Sequence, residues 1–157
     1  MQRIVPFLWF DANVEDAVNF YTSIFGNSKI ISLTRMDDAR TGAKNAVTFA
    51  RFQLEGQEFM GLNGGSMYQF TPAISLYVNC ESQQEIDDLW AKLAAGGKEL
   101  SCGWLTDKFG VTWQIIPTIL EKLIGDKDPA KARRVAQAMM KMVRFDIEGL
   151  KRAHEGG

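Results

Sequence analysis

The chain has 157 residues, of which 46% are hydrophobic, and a formal net charge of −1. This length supports one good hydrophobic core or two small modules that share a core, and a net charge near zero favours neither nucleic acid nor an anionic membrane as a partner. The two cysteines, Cys80 and Cys102, lack CxxC spacing and predict free thiols in a reducing compartment. Because no apolar run resembles a signal peptide or a membrane span, we expect a soluble cytoplasmic protein.

Residues 1–65 predict a strand, a helix and three more strands. The apolar run from Ile4 to Phe10 predicts a buried strand. Asn13 is the predicted N-cap of a helix that Gly26 closes. Further strands are predicted over residues 29–36, 45–54 and 58–62, and the turn residues 63–65 end the last of them.

The same order of elements begins again at residue 73. A strand is predicted over residues 73–79, and Ser82 with Glu85 forms a capping box at the start of a helix. Strands follow over residues 98–102, 104–106 and 111–116. An offset of 69 residues places Phe7 on Leu76 and Tyr21 on Trp90. This internal repeat predicts an α+β fold in which two βαβββ modules, about 1–65 and 73–117, form curved mixed sheets around a cleft.

Residues 118–157 predict a helical extension. Asp128 and Pro129 are a typical helix start, and an apolar stripe that includes Val135, Met139 and Val143 follows at helical spacing. The cations of this helix are scattered around its polar face, which disfavours a nucleic-acid surface. The apolar stripe either covers the chain's own sheet or forms a dimer contact, and we favour the dimer contact.

Gln114 is a polar residue among apolar neighbours on the last predicted strand. It alternates with Trp113 and Ile115, so it points to the opposite face of the sheet. One interpretation is an amide that lines a cleft and bonds a small ligand. The other is a structural amide that bonds the backbone, Ser75 or Thr112.

The residues around these elements resemble a known family. Three stretches near the N-terminus, residues 6–10, 17–21 and 24–26, and the stretch from Trp104 to Gln114 are similar to the demethylubiquinone methyltransferase-like (PhnB-like) family. That family belongs to the glyoxalase/bleomycin-resistance, or vicinal-oxygen-chelate, superfamily. The tail, residues 138–150, resembles its C-terminal signature. The resemblance implies paired βαβββ modules with cavities inside the curved sheets, assembled as a homodimer.

The resemblance also implies where a metal would bind. Metal-using relatives hold a divalent ion with four His, Glu or Gln side chains, and the ion polarises vicinal oxygens of the substrate. In this chain the implied positions fall on Pro6, on Ser75, near Met60 to Leu62, and on Gln114. Only Gln114 retains a ligand of that kind, so we expect no metal and no other cofactor.

Three functions remain open. The first is a metal-free protein that binds an unidentified small molecule, with apolar walls from Leu8, Phe10, Tyr77 and Trp104, and with Gln114 and Ser75 orienting polar atoms. The second is an enzyme of the methyltransferase-like or lyase/isomerase kind that the family names suggest, although no Gly-rich motif for S-adenosylmethionine is present. The third is a dimeric scaffold whose pocket is filled by its own side chains.

Overall fold

A computed structural model describes residues 2–157, and the chain divides into two compact units, Met1–Phe70 and Thr71–Gly157. The first unit contains four strands and one helix. They are β1 (Phe7–Phe10), α1 (Val14–Ile24), β2 (Lys29–Met36), β3 (Ala46–Leu54) and β4 (Gln57–Asn63).

The second unit repeats that order and adds three helices at its end. Its elements are β5 (Leu76–Cys80), α2 (Gln83–Ala94), β6 (Lys98–Glu99), β7 (Trp104–Thr106), β8 (Thr112–Pro117), α3 (Ile119–Ile124), α4 (Pro129–Met139) and α5 (Ile147–Glu155). Within residues 2–157, no helix is both long enough and apolar enough to cross a bilayer.

Both sheets have the same topology. The strand order is β1-β4-β3-β2 in the first unit and β5-β8-β7-β6 in the second. In each, the first strand runs parallel to the last, and the remaining neighbours are antiparallel. The helix that follows the first strand provides the crossover that a parallel pair needs. The predicted α+β class and the two βαβββ modules are therefore confirmed.

The two crossover helices begin in different ways. Ser82 accepts a hydrogen bond from the Glu85 amide (3.2 Å), as the capping box predicts, while the Glu85 carboxylate accepts from the Glu81 amide (2.8 Å). Asn13 occupies the N-cap position of α1, but its side chain makes no capping bond. Instead Asn63, at the end of β4, accepts from the Val14 amide at 2.8 Å. The cap of α1 thus comes from a distant strand, which local sequence does not reveal.

The C-terminal helices are tied into the second unit by its backbone. The amides of Cys102 and Gly103 donate to the carbonyls of Met142 and Val143, at 2.8 and 2.7 Å. Phe145 is 1% exposed, and a Cβ at Gly103 would lie 2.5 Å from its ring. The absence of a side chain at Gly103 therefore lets the aromatic ring lie against the loop before β7.

One side chain joins α2 to the start of α5. Gln83 donates to the Phe145 carbonyl (2.9 Å) and accepts from the Ile147 amide (2.8 Å). The Phe145 carbonyl lies in the connection before α5, and the Ile147 amide lies in the first turn of α5, where amides have no partner within the helix. The second unit therefore includes the extension as part of its own core.

Candidate functional site

The turn between β7 and β8 is built around one buried carboxylate. Asp107 is 3% exposed and its Oδ1 accepts from the amides of Phe109 (2.8 Å) and Val111 (3.1 Å). Its Oδ2 accepts from the indole Nε1 of Trp113 at 2.8 Å. Hydrogen bonds to a charged acceptor are stronger than those between neutral groups, so Asp107 fixes the start of β8. This anchor determines which way the following residues of β8 point.

Gln114 then lies on the face of the sheet that is turned away from α2. On the other face, Trp90 of α2 donates to Glu99 (2.6 Å), Glu99 pairs with Leu105, and Leu105 pairs with Trp113. Because paired residues share a face and neighbours along a strand alternate, Trp113 faces α2 and Gln114 does not. We call the face that carries Gln114 the open face of the second unit.

Four of the six residues predicted to line a pocket meet on this open face. Gln114 pairs with Tyr77 across β5–β8 and with Trp104 across β7–β8. Its Nε2 donates to Ser75 Oγ at 2.8 Å. The bond to Ser75 is the one that the structural interpretation of Gln114 predicts. It uses one of the two amide hydrogens, and in the described part of the chain the Gln114 Oε1 has no hydrogen-bond partner.

The structure places the other two predicted residues, Leu8 and Phe10, in the first unit and toward α1. Leu8 pairs with Gly61, and a Cβ built on Gly61 would meet Val14 of α1 at 3.0 Å and the Phe10 ring at 3.3 Å. Phe10 is only 1% exposed. These two side chains are therefore part of the core under α1.

A one-residue slip between the two repeats explains this placement. The 69-residue offset matches Leu8 with Tyr77, yet Leu8 faces its helix and Tyr77 faces away from its own. Since side chains alternate along a strand, a shift of one residue moves every side chain to the opposite face. The open face of the first unit instead carries Phe7 and Trp9, which pair with Met60 and Leu62.

The donor groups at the implied metal positions do not fit a divalent ion. Whether the slip makes Val5, Pro6 or Phe7 the counterpart of Ser75, none of these side chains coordinates a metal. In β4, Met60 offers only a soft thioether, and neither Gly61 nor Leu62 has a donor atom. Among residues 2–157, no three His, Cys, Asp or Glu side chains cluster closely enough to hold an ion.

Two ionisable side chains near this sheet have shifted pKa values. Burial, and then the negative charge of Glu121, raises the pKa of the Tyr77 phenol. That hydroxyl stays protonated at neutral pH and remains able to donate a hydrogen bond. Burial also raises the pKa of the Cys80 thiol to about 12, which makes it a poor nucleophile.

The sequence interpretation missed Thr112 as a candidate. It is 1% exposed, lies on the same face as Gln114, and its Oγ1 has no hydrogen-bond partner among residues 2–157. A buried hydroxyl without a partner is uncommon, because it loses its bonds to water and gains none. The alternation of β8 places Thr112 beside Gln114, but sequence does not tell whether a threonine hydroxyl finds a partner.

Comparisons with known proteins agree with this architecture. A family model described as 3-demethylubiquinone-9 3-methyltransferase matches residues 2–116. The PhnB protein of Bacillus cereus has a similar structure, with 43% identity, a TM-score of 0.69, and coverage of 74% of this chain and all of that chain. A Pseudomonas aeruginosa protein is 24% identical, with a TM-score of 0.61 and coverage of 74% and 98%.

A more distant likeness bears on the fold alone. FosX, a fosfomycin resistance protein from Listeria monocytogenes, is 15% identical, with a TM-score of 0.54 and coverage of 78% of this chain and 97% of its own. The likeness supports the predicted glyoxalase/bleomycin-resistance fold. A search of curated proteins finds no match.

Proposed function

Since this chain belongs to the 3-demethylubiquinone-9 3-methyltransferase (PhnB-like) family of the glyoxalase/bleomycin-resistance superfamily, we propose that it binds a small molecule on the open face of its second unit without a metal. The observation that carries the proposal is the amide of Gln114. Ser75 holds its Nε2, and its Oε1 has no partner in residues 2–157. A half-buried acceptor that a neighbour orients is suited to bonding a ligand.

The side chains around Gln114 support this proposal. Tyr77 is 55% exposed and Trp104 is half-buried, so aromatic surface flanks the amide on both neighbouring strands. The exposure of Tyr77 argues against a pocket that the chain fills with its own side chains. An apolar surround with a few fixed polar groups is typical of small-molecule sites.

The test is the retention of metabolites by the purified protein. Equilibrium dialysis against a cell extract, read by mass spectrometry, would compare the wild type with Gln114→Ala and with a control, Gln84→Ala. Gln84 is exposed on α2, and its side chain donates to Asp88. We expect the wild type and the control to retain the same compounds and Gln114→Ala to lose them. If folded Gln114→Ala protein retains them equally well, the proposal is wrong.

The family's description supports a second candidate, an enzyme that transfers a methyl group or acts as a lyase or isomerase. Titrating S-adenosylmethionine while following the thermal midpoint separates the methyl-transfer version from simple binding. The first proposal predicts no shift, because the chain has no Gly-rich loop for that cofactor. A saturable upward shift would favour the enzyme.

We further propose that the protein is a cytoplasmic homodimer. Large apolar side chains exposed in a single chain support this, among them Phe7 (49%), Met140 (67%) and Val143 (44%). The free thiols of Cys80 and Cys102 suit a reducing compartment. Light scattering coupled to gel filtration would give the mass in solution, and a value near 17.6 kDa would contradict the dimer.

A further inference from the structure

The three side chains at the centre of the open face stand in one row. Tyr77, Gln114 and Trp104 occupy directly paired positions on β5, β8 and β7. Neighbouring strands lie about 4.8 Å apart, so the outer two residues are separated by roughly 9.6 Å at the backbone. An aromatic ring therefore stands on each side of one amide.

The width of this row admits a single flat layer. A ring stacked between two others needs roughly 7 Å between the outer rings, because carbon atoms in contact lie about 3.5 Å apart. The spacing of the outer strands leaves room for one such layer and for tilting of the rings, and it is too narrow for two. A planar molecule standing on Gln114 would contact both aromatic side chains.

The amide in the middle of the row offers donor and acceptor groups. A primary amide has two N–H donors and one carbonyl acceptor, and Ser75 takes one of the donors. When Ser75 accepts the hydrogen that points away from the carbonyl, the second N–H and Oε1 remain side by side in one plane. Their complement is a group with an adjacent acceptor and donor, such as a lactam, a carboxamide or an amino-substituted ring nitrogen.

The charges near the row disfavour an anion. Glu121 lies close enough to Tyr77 to oppose ionisation of its phenol. Lys98, a cation on this face, is exposed and pairs with Thr106, two residues along β7 from Trp104. A neutral ligand avoids the repulsion of Glu121.

On the basis of the binding function proposed above, we propose that this site binds a neutral planar ring system. The edge of that ring system carries a hydrogen-bond donor next to a hydrogen-bond acceptor. Such a molecule would stand between Tyr77 and Trp104 and pair edge to edge with the Gln114 amide. Ser75 acts as a positioning residue, because it fixes the orientation of that amide.

A matched set of probes tests the class by calorimetry. The probes are 2-quinolinone, a planar lactam; N-methyl-2-quinolinone, which lacks the donor; 2-piperidinone, which is not aromatic; and quinoline-2-carboxylate, an anion. We expect measurable binding of 2-quinolinone at about 1 mM or below, and binding at least about tenfold weaker for each of the other three.

Substitutions in the row test whether its three side chains bind 2-quinolinone. Gln114→Leu should remove the preference for the lactam over its N-methyl form, and Tyr77→Leu and Trp104→Leu should each weaken 2-quinolinone binding about tenfold. Phe7→Leu, an exposed aromatic of the first unit, is the control and should bind as the wild type does. Thermal midpoints measured alongside identify any variant that fails to fold.

The outcomes separate this proposal from the one on which it rests. If Gln114→Ala loses its extract compounds but the wild type ignores 2-quinolinone or prefers the carboxylate, the ligand class is wrong and the binding function stands. If Gln114 matters for no compound at all, both are wrong.

Discussion

Asp107 accepts three hydrogen bonds within the turn that precedes Gln114, and we predict that the fold depends on it. In Asp107→Asn, one of the two carboxylate oxygens becomes an NH₂ donor that faces either backbone amides or an indole N–H. The free energy of unfolding should fall by about 2–4 kcal/mol, because a buried donor is left facing other donors. Urea unfolding would measure it.

The matched control for that substitution is Asp128→Asn. Asp128 caps α4 by accepting from the Ala130 amide at 2.9 Å, and asparagine caps a helix about as well as aspartate. A loss below about 0.5 kcal/mol is expected there. Equal losses in the two variants would contradict the role assigned to Asp107.

Thr112 gives the opposite expectation. Its Oγ1 is buried and finds no partner in the described part of the chain, so Thr112→Val should raise the free energy of unfolding by about 1 kcal/mol. Thr106→Val, on the paired and less buried position, should change it little. Thermal and urea unfolding would both report the gain, and a destabilised Thr112→Val protein would show that the hydroxyl is bonded.

Cys80 should make the stability depend on alkaline pH. An unfolded thiol loses its proton near pH 9, whereas burial keeps the native thiol protonated to about pH 12. The native state then binds more protons than the unfolded state, so stability falls as pH rises between these values, by at most about 1.4 kcal/mol per pH unit. Urea unfolding at pH 8 to about 10.5 would show a shallower decline for Cys80→Ala than for the wild type.

At the scale of elements, Asn63 links the end of β4 to the start of α1. It accepts from the Val14 amide (2.8 Å) and donates to the Val47 carbonyl (3.0 Å). Asn63→Ala should cost about 1–3 kcal/mol, because it removes a helix cap and leaves buried backbone groups unpaired.

Asn13→Ala is the informative comparison. Asn13 stands at the N-cap position but forms no capping bond with its side chain, so its replacement should cost well under 1 kcal/mol. Urea unfolding of both variants would rank the two asparagines. A larger loss of stability for Asn13→Ala would show that Asn13 caps the helix, as the sequence predicts.

Elements were largely predictable from the sequence, while their faces were not. The hydrophobic pattern predicted β2 over residues 29–36 and β7 over 104–106, as the structure has them. The face of the sheet on which each β1 side chain lies depends on strand register. A shift of one residue between the repeats moves those side chains to the opposite face. Leu8 and Phe10 therefore face α1, whereas Tyr77, Trp104 and Gln114 occupy paired positions on the open face of the second unit.

At the scale of the whole chain, the helices after residue 117 belong to the core of the second unit. Phe145 and Leu150 are 1% and 0% exposed, and the backbone of residues 142–143 bonds to the loop before β7. A chain ending at Pro117 would expose this core. We predict that it fails to fold, which circular dichroism and gel filtration would show.

Removing only Gly156 and Gly157 is the control for that truncation. Both are exposed, and neither carries a side chain that packs in the core. The shortened chain should unfold at nearly the wild-type temperature. A well-folded product ending at Pro117 would instead show that the extension adds to the unit without supporting it. The composition change at residue 117 predicted helices there, but not their backbone bonds to the loop before β7.

The slip between the repeats also determines how many molecules one chain should hold. Two identical halves would offer two equivalent binding positions, and saturation would then require two ligands per chain. Here the open face of the second unit presents Gln114 between two aromatic residues, whereas the corresponding pairs of the first unit are Phe7 with Met60 and Trp9 with Leu62. The duplicated architecture thus carries a single copy of the proposed recognition chemistry, and the expected stoichiometry is one ligand per chain.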